Sequence, residues 1–448
     1  MSTQAGEGGG VWRSVGLRLK PTRRRAVAYI LVVLGILLLR LVLDVWAGAR
    51  LKSVAERLAP AYGGRLDAAS LAPPAAAPGE NRARIAAAAA SLTDLQKEPL
   101  RREQFTQALM GAVPADASLR LAILRRVADE NRLALHVLDE IESRPKANWE
   151  VEYAEGHRVR LPSLLAIREL GNVNAAAGRV ALADGNADEA ARRARLGLAL
   201  AGSLGQEPNL LIQLIQIATG TEQLRLVRDV LAGGEPSAQA LDALAARLDA
   251  EGVQDPAVTG LVGELKVKDG ALGSMEGGAV PWDPQGDRGG CGSRALAWFL
   301  RPAVRVAHAR TLNDLDLLIQ YARLPPFERE RRKLRLPSDE PQPWWWRKLS
   351  PMMLGGLNRA VRSGDEYRAS MMLASTAVAL RRCRLERGSY PANLGELAPG
   401  FLPRMPVDPF TGRAPEYARA GAGFTLKVSA PPGTQSAPRD ILNWPIPR

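Results

Sequence analysis

The side chains best equipped for catalysis are few and poorly spaced for it. His136, His157 and His308 are the only histidines in 448 residues, and none stands in a His-Glu-x-x-His pattern that would set two imidazoles on one helical face for a metal. Ala201-Gly202-Ser203-Leu204-Gly205 echoes the glycine-flanked serine of a nucleophile elbow, yet no strand precedes it, so it reads as an ordinary helix end. The carboxylate pairs Asp314 with Asp316 and Asp188 with Glu189 fit polar helix faces or caps. A glycine-rich stretch from Gly270 to Gly292 reads as a loop and lacks the Gly-Lys-Ser/Thr of a phosphate cradle. No enzyme, cofactor or metal site is therefore expected, and a hydrolase with an unrecognised site is the alternative. Cys291 and Cys383, the only cysteines, offer either one disulfide in an oxidising compartment or two free thiols.

More can be read from two charges in an apolar setting. Residues Ala26 to Leu39 read AVAYILVVLGILLL, about 21 Å of helix, so a span of the roughly 30 Å hydrocarbon layer must continue through RLVLDVWAG. That puts Arg40 and Asp44 at membrane depth and Trp46 at the outer interface, where an amphipathic ring is favoured. Arg40 and Asp44 can pair as i,i+4 neighbours, or face another transmembrane helix and mark assembly into an oligomer. Arg13, Arg18, Lys20 and Arg23 to Arg25 precede the run against Glu7 alone, which predicts a cytoplasmic N-terminus and an extracytoplasmic remainder, periplasmic if the membrane is a bacterial inner membrane. Ala47-Gly48-Ala49 matches a small-x-small cleavage site, but the charged stretch from Arg40 separates it from the apolar run.

Net charge is +13, and 51 of the 60 basic residues are Arg. These arginines alternate with acids along helical patterns and have almost no interleaved aromatics, so nucleic-acid binding is not expected. Trp344, Trp345 and Trp346 follow Pro343 and precede Arg347-Lys348. Three adjacent tryptophans cannot all enter one core, so this cluster is a candidate contact with membrane or a protein partner.

The elements that must position these groups are mainly α. The pattern predicts a basic leader over 1–25, a transmembrane helix over 26–48, and a helical-hairpin array over 50–269. A loop region follows over 270–350 with one helix at 293–323, then a long helix over 351–387 and a small α+β C-terminal module over 388–448 with a short β-hairpin. Within the array, one helical run is expected over 117–143. Two more cover 161–183 and 187–204, broken by Asp184-Gly185-Asn186, and a fourth follows Pro208 and closes at Gly233-Gly234. The piece AAAGRVALADGNADEAARRARLGLAL resembles a tetratricopeptide-type hairpin, without a sustained repeat of about 34 residues along the chain.

At the C-terminus, a helix ending in Arg-x-x-x-Gly-x-Tyr-Pro leads to Leu394 and Leu397 and then to Pro406, Asp408, Pro409, Phe410 and Gly412. With Gly388, Tyr390, Pro391, Tyr417 and Phe424, these residues resemble the C-terminal part of the major pseudopilin of type II secretion. The resemblance implies a small folded module and a possible relation to a secretion or pilus-like system. The apolar run contains no Glu, and Asp440 is the only acid in APPGTQSAPRD, so pseudopilin processing and calcium binding are not implied. The whole chain also resembles a group of uncharacterised bacterial single-pass membrane proteins with a helical outer domain, through Glu80-Asn81, PNLLIQLIQIATGTEQL and the ending DILNWPIPR. The expected role is that of an envelope protein that scaffolds or binds other proteins; an accessory component of a secretion system that contacts pseudopilins is the alternative.

Overall fold

An uninterrupted run of apolar helix formers followed by a charged continuation favours one long helix over two short ones. The computed structural model describes residues 23–93, 95, 99–111, 117–276, 291–336, 343–429 and 443–447. In it α1 runs unbroken over Arg23–Leu58. Among the described residues it is the one helix long and apolar enough to cross a membrane. The chain is mainly α, with a three-stranded antiparallel sheet at its C-terminal end.

After α1 the chain passes a Pro-rich segment pinned by a pair of amides. Asn81 Nδ2 donates to the Asn148 carbonyl at 2.7 Å, and Asn148 Nδ2 donates to the carbonyls of Pro73 and Pro74. Helices α2 (Arg82–Ser91), α3 (Pro99–Leu109), α4 (Ala117–Glu130) and α5 (Arg132–Leu138) follow. The single run expected over 117–143 is thus split. Asn131, whose Nδ2 donates to the Val127 carbonyl at 2.9 Å, ends α4, and a 3-10 turn, Asp139–Ser143, completes the stretch.

Helices α6 (Leu164–Ala183) and α7 (Ala187–Gly202) form the expected hairpin, with Gly185 at φ +80° in the turn and Asn186 capping α7. Helix α8 (Leu210–Gly233) packs across both. Small residues make this approach possible. A Cβ on Gly171 or Gly178 would meet Thr219 or Leu226 of α8 at 2.6 and 2.5 Å. The Gln223 side chain lies against Gly197, donates to the Gly171 carbonyl at 2.9 Å and accepts from Asn174 at 3.1 Å. A buried amide satisfied on both sides fixes the register of three helices.

Helices α9 (Ala238–Glu251), α10 (Pro256–Glu276), α11 (Cys291–Arg323), α12 (Pro326–Arg331), α13 (Trp344–Leu354) and α14 (Leu357–Arg387) complete the helical part. Two expectations are corrected here. The glycine-rich loop does not begin at Gly270. Helix α10 carries through Gly270 and Gly273 because its flank packs on α11 and α8; residues 277–290 of that segment lie outside the described residues. The long helix expected from residue 351 is broken at Gly355-Gly356, where Gly356 takes φ +83°, a conformation open to glycine at no steric cost.

Helix α14 carries the main core. Leu373, Ala377 and Leu380 are fully buried in one apolar cluster with Leu226 and Val230 of α8, Leu241 and Leu244 of α9, and Tyr390, Leu394, Leu397, Phe410 and Phe424 of the C-terminal module. The expected hairpin, β1 (Glu416–Ala420) with β2 (Gly423–Lys427), gains a third strand, β3 (Asn443–Ile446), paired antiparallel to β2. Trp444 and Ile446 of β3 fill that core; a four-residue strand containing Pro445 carries little β signal in the sequence. Cys383 is a free, buried thiol, so the disulfide alternative is not realised. Its burial in the apolar cluster pushes its pKa up.

Close backbone approach on α10 yields a stability test. A Cβ on Gly263 would land on the Pro208 carbonyl, whereas nothing lies within 4 Å of one on Gly273. Gly263→Ala should lower stability by about 1–3 kcal/mol through overpacking, and Gly273→Ala should raise it by up to about 1 kcal/mol through helix propensity. Thermal unfolding of full-length protein in detergent reads both; equal midpoints for the two variants would contradict this seating of α10.

Candidate functional site

The groups brought together most closely lie where α1 leaves its apolar segment. Arg40 and Asp44 form an i,i+4 pair at 3.6 Å, and both are buried, at 6% and 8% exposure. Their partner surface is α11 of the same chain. Arg40 Nη2 donates to the Trp298 carbonyl at 2.5 Å, and its guanidinium lies 3.7 Å from the centre of the Trp298 ring. Asp44 accepts from Arg305 Nη1 at 3.1 Å on both its carboxylate and its carbonyl, with Arg301 at 3.8 Å. A Cβ on Gly48 would meet Arg305 Nη1 at 2.9 Å, so glycine there lets the guanidinium cross the helix.

The network continues away from α1. Arg305 Nε donates to Glu276 Oε2 at 2.9 Å, and Glu276 Oε1 stands 2.8 Å from His308 Nδ1. The other imidazole nitrogen lies 2.9 Å from Asp269. Arg301, Arg305 and His308 fall on one face of α11, at i, i+4 and i+7, and Asp269 and Glu276 on one face of α10, two turns apart. Burial alone would lower the His308 pKa, but hydrogen bonds to Asp269 and Glu276 and their charges outweigh it and raise it above the ordinary value. Glu276 is the converse. Burial would raise it, and the hydrogen bonds from His308 and Arg305 hold it below the usual carboxylate range. Farther along, Arg57 pairs with Asp316 at 3.7 Å and Tyr62 donates to the same carboxylate at 2.7 Å. This chain of charges joins α1, α11 and α10 into one body and supplies no nucleophile.

His308 was weighed from the sequence only as a metal ligand, and Arg305, Asp269 and Glu276 were not singled out. The signal was present as helical spacing of opposite charges on two segments, but reading a loop from Gly270 removed Glu276 from any helix face. Asp314 and Asp316 are a second correction. They are buried rather than on a polar face; Asp314 accepts from Trp346 Nε1 at 3.0 Å, and its burial raises its pKa. Asp188 and Glu189 do sit in the first turn of α7.

The remaining candidates separate clearly. Trp46 is half exposed, with the Arg50 guanidinium 5.6 Å from its ring centre. In the tryptophan cluster Trp344 is 74% exposed, Trp345 is partly covered and Trp346 is fully buried. Ser203 Oγ is buried and donates to the Leu200 carbonyl at 2.7 Å, an arrangement of a helix end. His136 is exposed, and the side chain of His157 lies outside the described residues. Tyr390, Pro391, Asp408 and Phe410 are buried and Pro409 partly so. The Asp408 carboxylate closes its turn by accepting from Phe410 N, Thr411 Oγ1 and Ser429 N at 2.8, 3.1 and 3.1 Å. Gly388 caps α14 at φ +76°, and Gly412, at φ +71°, faces Phe327 of α12. These residues build the module. Among the described residues, no group of three or more His, Cys, Asp or Glu side chains is arranged to hold a metal ion.

One groove of about 780 Å³ opens on the outer helices. Leu121, Leu124 and Leu182 give it an apolar floor, and Arg120, Arg179, Arg225 and Arg228 line it with Asp229. Arg179 is held by Glu222 at 2.8 Å and Asp229 at 2.9 Å, so the groove wall is braced by ion pairs.

No family model, curated protein or solved structure matches the chain.

The His308 cluster has a defined pH response. With a folded pKa above its ordinary 6.5, His308 contributes stability that is fully present below about pH 6.5 and lost as pH rises through the raised value. Glu276, depressed below its ordinary 4.5, contributes stability above that pH and loses it as pH falls through the lowered value. Wild type should therefore lose more thermal stability than His308→Gln on going from pH 6 to pH 9. Parallel losses in melting scans would show that the imidazole is not charged between its two carboxylates.

Proposed function

We propose that the chain is a bacterial inner-membrane protein with one span, a cytoplasmic N-terminus and an extracytoplasmic helical domain that scaffolds other proteins and performs no catalysis. The observation that carries this reading is the continuity of α1 with the domain. Beyond Asp44 the same helix supplies Val54 and Leu58 to a core shared with Leu312, Leu315 and Ile319 of α11, and the Asp44–Arg305–Glu276 chain locks the two helices. Simple attachment to a membrane requires only a flexible tether. A locked anchor holds the domain at a fixed angle to the bilayer, which suits a surface that must meet partners in a set orientation.

Retention of the anchor follows from the same contacts. Cleavage after Ala49 would remove Asp44 and the fully buried Ala47, leaving Arg301 and Arg305 without their carboxylate. The arginine-lined groove, with its leucine floor, is the surface on this scaffold best suited to an acidic, amphipathic segment of a partner. Neither alternative role gains support: Ser203 is buried in a helix end, and Tyr390, Leu394, Leu397, Phe410 and Phe424 of the set shared with pseudopilins are spent in the core they share with α8, α9 and α14.

Two measurements test this. Protein tagged at both ends and recovered from membranes should retain the N-terminal tag at the full mass of the chain; a mature form beginning near residue 50 would overturn the anchor. A photo-crosslinking residue at Leu121 in the groove should give a discrete protein adduct in native membranes, reduced several-fold by Arg228→Glu. The same probe at the exposed Leu334 should give none. No adduct at Leu121, or equal adducts at both positions, would remove the groove from the proposal.

A further inference from the structure

Helices α1 and α11 run parallel and nearly in step. Arg40 meets Trp298, Asp44 meets Arg301 and Arg305, Arg57 meets Asn313, and Tyr62 meets Asp316. Sequence number thus rises together on both helices, and the N-terminal end of α11 points the same way as the apolar end of α1. At this end α11 exposes four large apolar side chains within five residues: Leu296 at 59%, Trp298 at 47%, Phe299 at 53% and Leu300 at 45%. Leu296, Phe299 and Leu300, at i, i+3 and i+4, share one face. They continue the exposed apolar surface of α1, where Leu38, Leu39, Leu41 and Val42 are all more than half exposed.

We propose that this face of α11 is a second membrane contact, seated among the acyl chains at the outer-leaflet boundary beside α1. The inference rests on the reading of α1 as a span. From Ala26 to Trp46 is roughly 30 Å of helix, the thickness of the hydrocarbon layer, so Arg40 and the Trp298 level with it lie roughly 9 Å inside Trp46. Arg301 and Arg305 come next along α11, nearer the headgroups, where guanidinium groups are favoured beside lipid phosphates. From Leu296 to Arg305 apolar groups lie on the bilayer side and cations on the water side, the order an interfacial helix requires; Arg294, one turn before Trp298, is the one charge that this seat must accommodate on the bilayer side of Leu296.

The arrangement also answers the problem of charges at membrane depth. Arg40 alone on a lipid-facing helix would lean into the bilayer; with α11 beside it, the guanidinium has a carbonyl, a carboxylate and an aromatic face within the same chain. The tryptophan cluster takes no part in this seat. Trp346 stands against Asp314, twelve residues beyond the level of Trp46 by the Arg57–Asn313 pairing, roughly 18 Å farther from the bilayer.

The test uses full-length protein with Cys291→Ser, the buried Cys383 retained, reconstituted in phosphatidylcholine–phosphatidylglycerol nanodiscs. Bimane is attached at Phe299→Cys, at Leu38→Cys on α1 and at the exposed Leu317→Cys farther along α11. Bimane at 299 should resemble that at 38: blue-shifted, quenched several-fold by lipids bearing a doxyl group on the acyl chain, and shielded from aqueous iodide. Bimane at 317 should show the reverse. If 299 behaves as 317 while 38 is lipid-quenched, the second contact is overturned and the anchor stands. Shielding at 299 without lipid quenching, with chain-to-chain crosslinking through Phe299→Cys, would assign the face to a second copy and overturn the lipid contact. If 38 itself behaves as 317, α1 does not span and both readings fall.

Discussion

Two opposite charges, Arg40 and Asp44, interrupt a helix that is otherwise suited to hydrocarbon, and the arrangement of the rest follows from how they are satisfied. A pair exposed to lipid on a lone helix would be expensive. Here the cost is offset because α11 brings a carbonyl, an indole and two further arginines to the same level. Each added group then needs its own partner. Arg305 requires Glu276, which requires His308, which takes Asp269. The outcome is a continuous line of ion pairs from α1 into α10, and α10 in turn meets the chain just before α8, where Gly263 lets it approach Pro208.

From that base the helical domain is held by shape more than by charge. Glycines at 171, 178 and 197 let α8 settle onto the α6–α7 hairpin, and the Gln223 amide fills the seam. Helix α14 lies on the other side of α8, and its apolar stripe runs on into the C-terminal module. Charged residues inside this packing include close pairs, such as Arg179 between Glu222 and Asp229, and Arg329 on Asp365 at 2.6 Å. A chain rich in arginine can therefore form ordinary cores, since much of its charge is consumed in interhelical pairs and long arginine stems cover apolar surface.

Helix identity was legible in the sequence wherever apolar spacing ended in a cap. Asn186 and Asn209 each begin a helix where the pattern starts, and Gly388 ends one. Legibility failed where tertiary contact overrode a local signal. Gly270 and Gly273 look like a loop, yet neighbouring helices hold them in α10, and β3 is a strand because its Trp444 and Ile446 fill a hole under β2. Gly355-Gly356 was the opposite case, a real break read as helix because the flanking residues kept helical spacing. At the candidate site, Arg40 and Asp44 stood out because charge is conspicuous against an apolar background. Their partners did not, since a charged residue at helical spacing on a polar segment looks like any solvated face until a second helix covers it.

Buried ion pairs contribute less to stability than their number suggests, because desolvation opposes the Coulomb attraction. Their value at this junction is registry. Two apolar helices packed in parallel can slide by a turn with little change in buried area, since leucine replaces leucine at the seam. Moving α11 by one turn along α1 would separate Asp44 from Arg305, take the Trp298 carbonyl from Arg40, and take the Asp316 carboxylate from Arg57 and Tyr62. That penalty grows with each pair in the line, so the alternatives one turn away are excluded far more firmly than hydrophobic contact alone would exclude them. Charges that look misplaced in so apolar a helix thus serve to fix where α11 sits along α1.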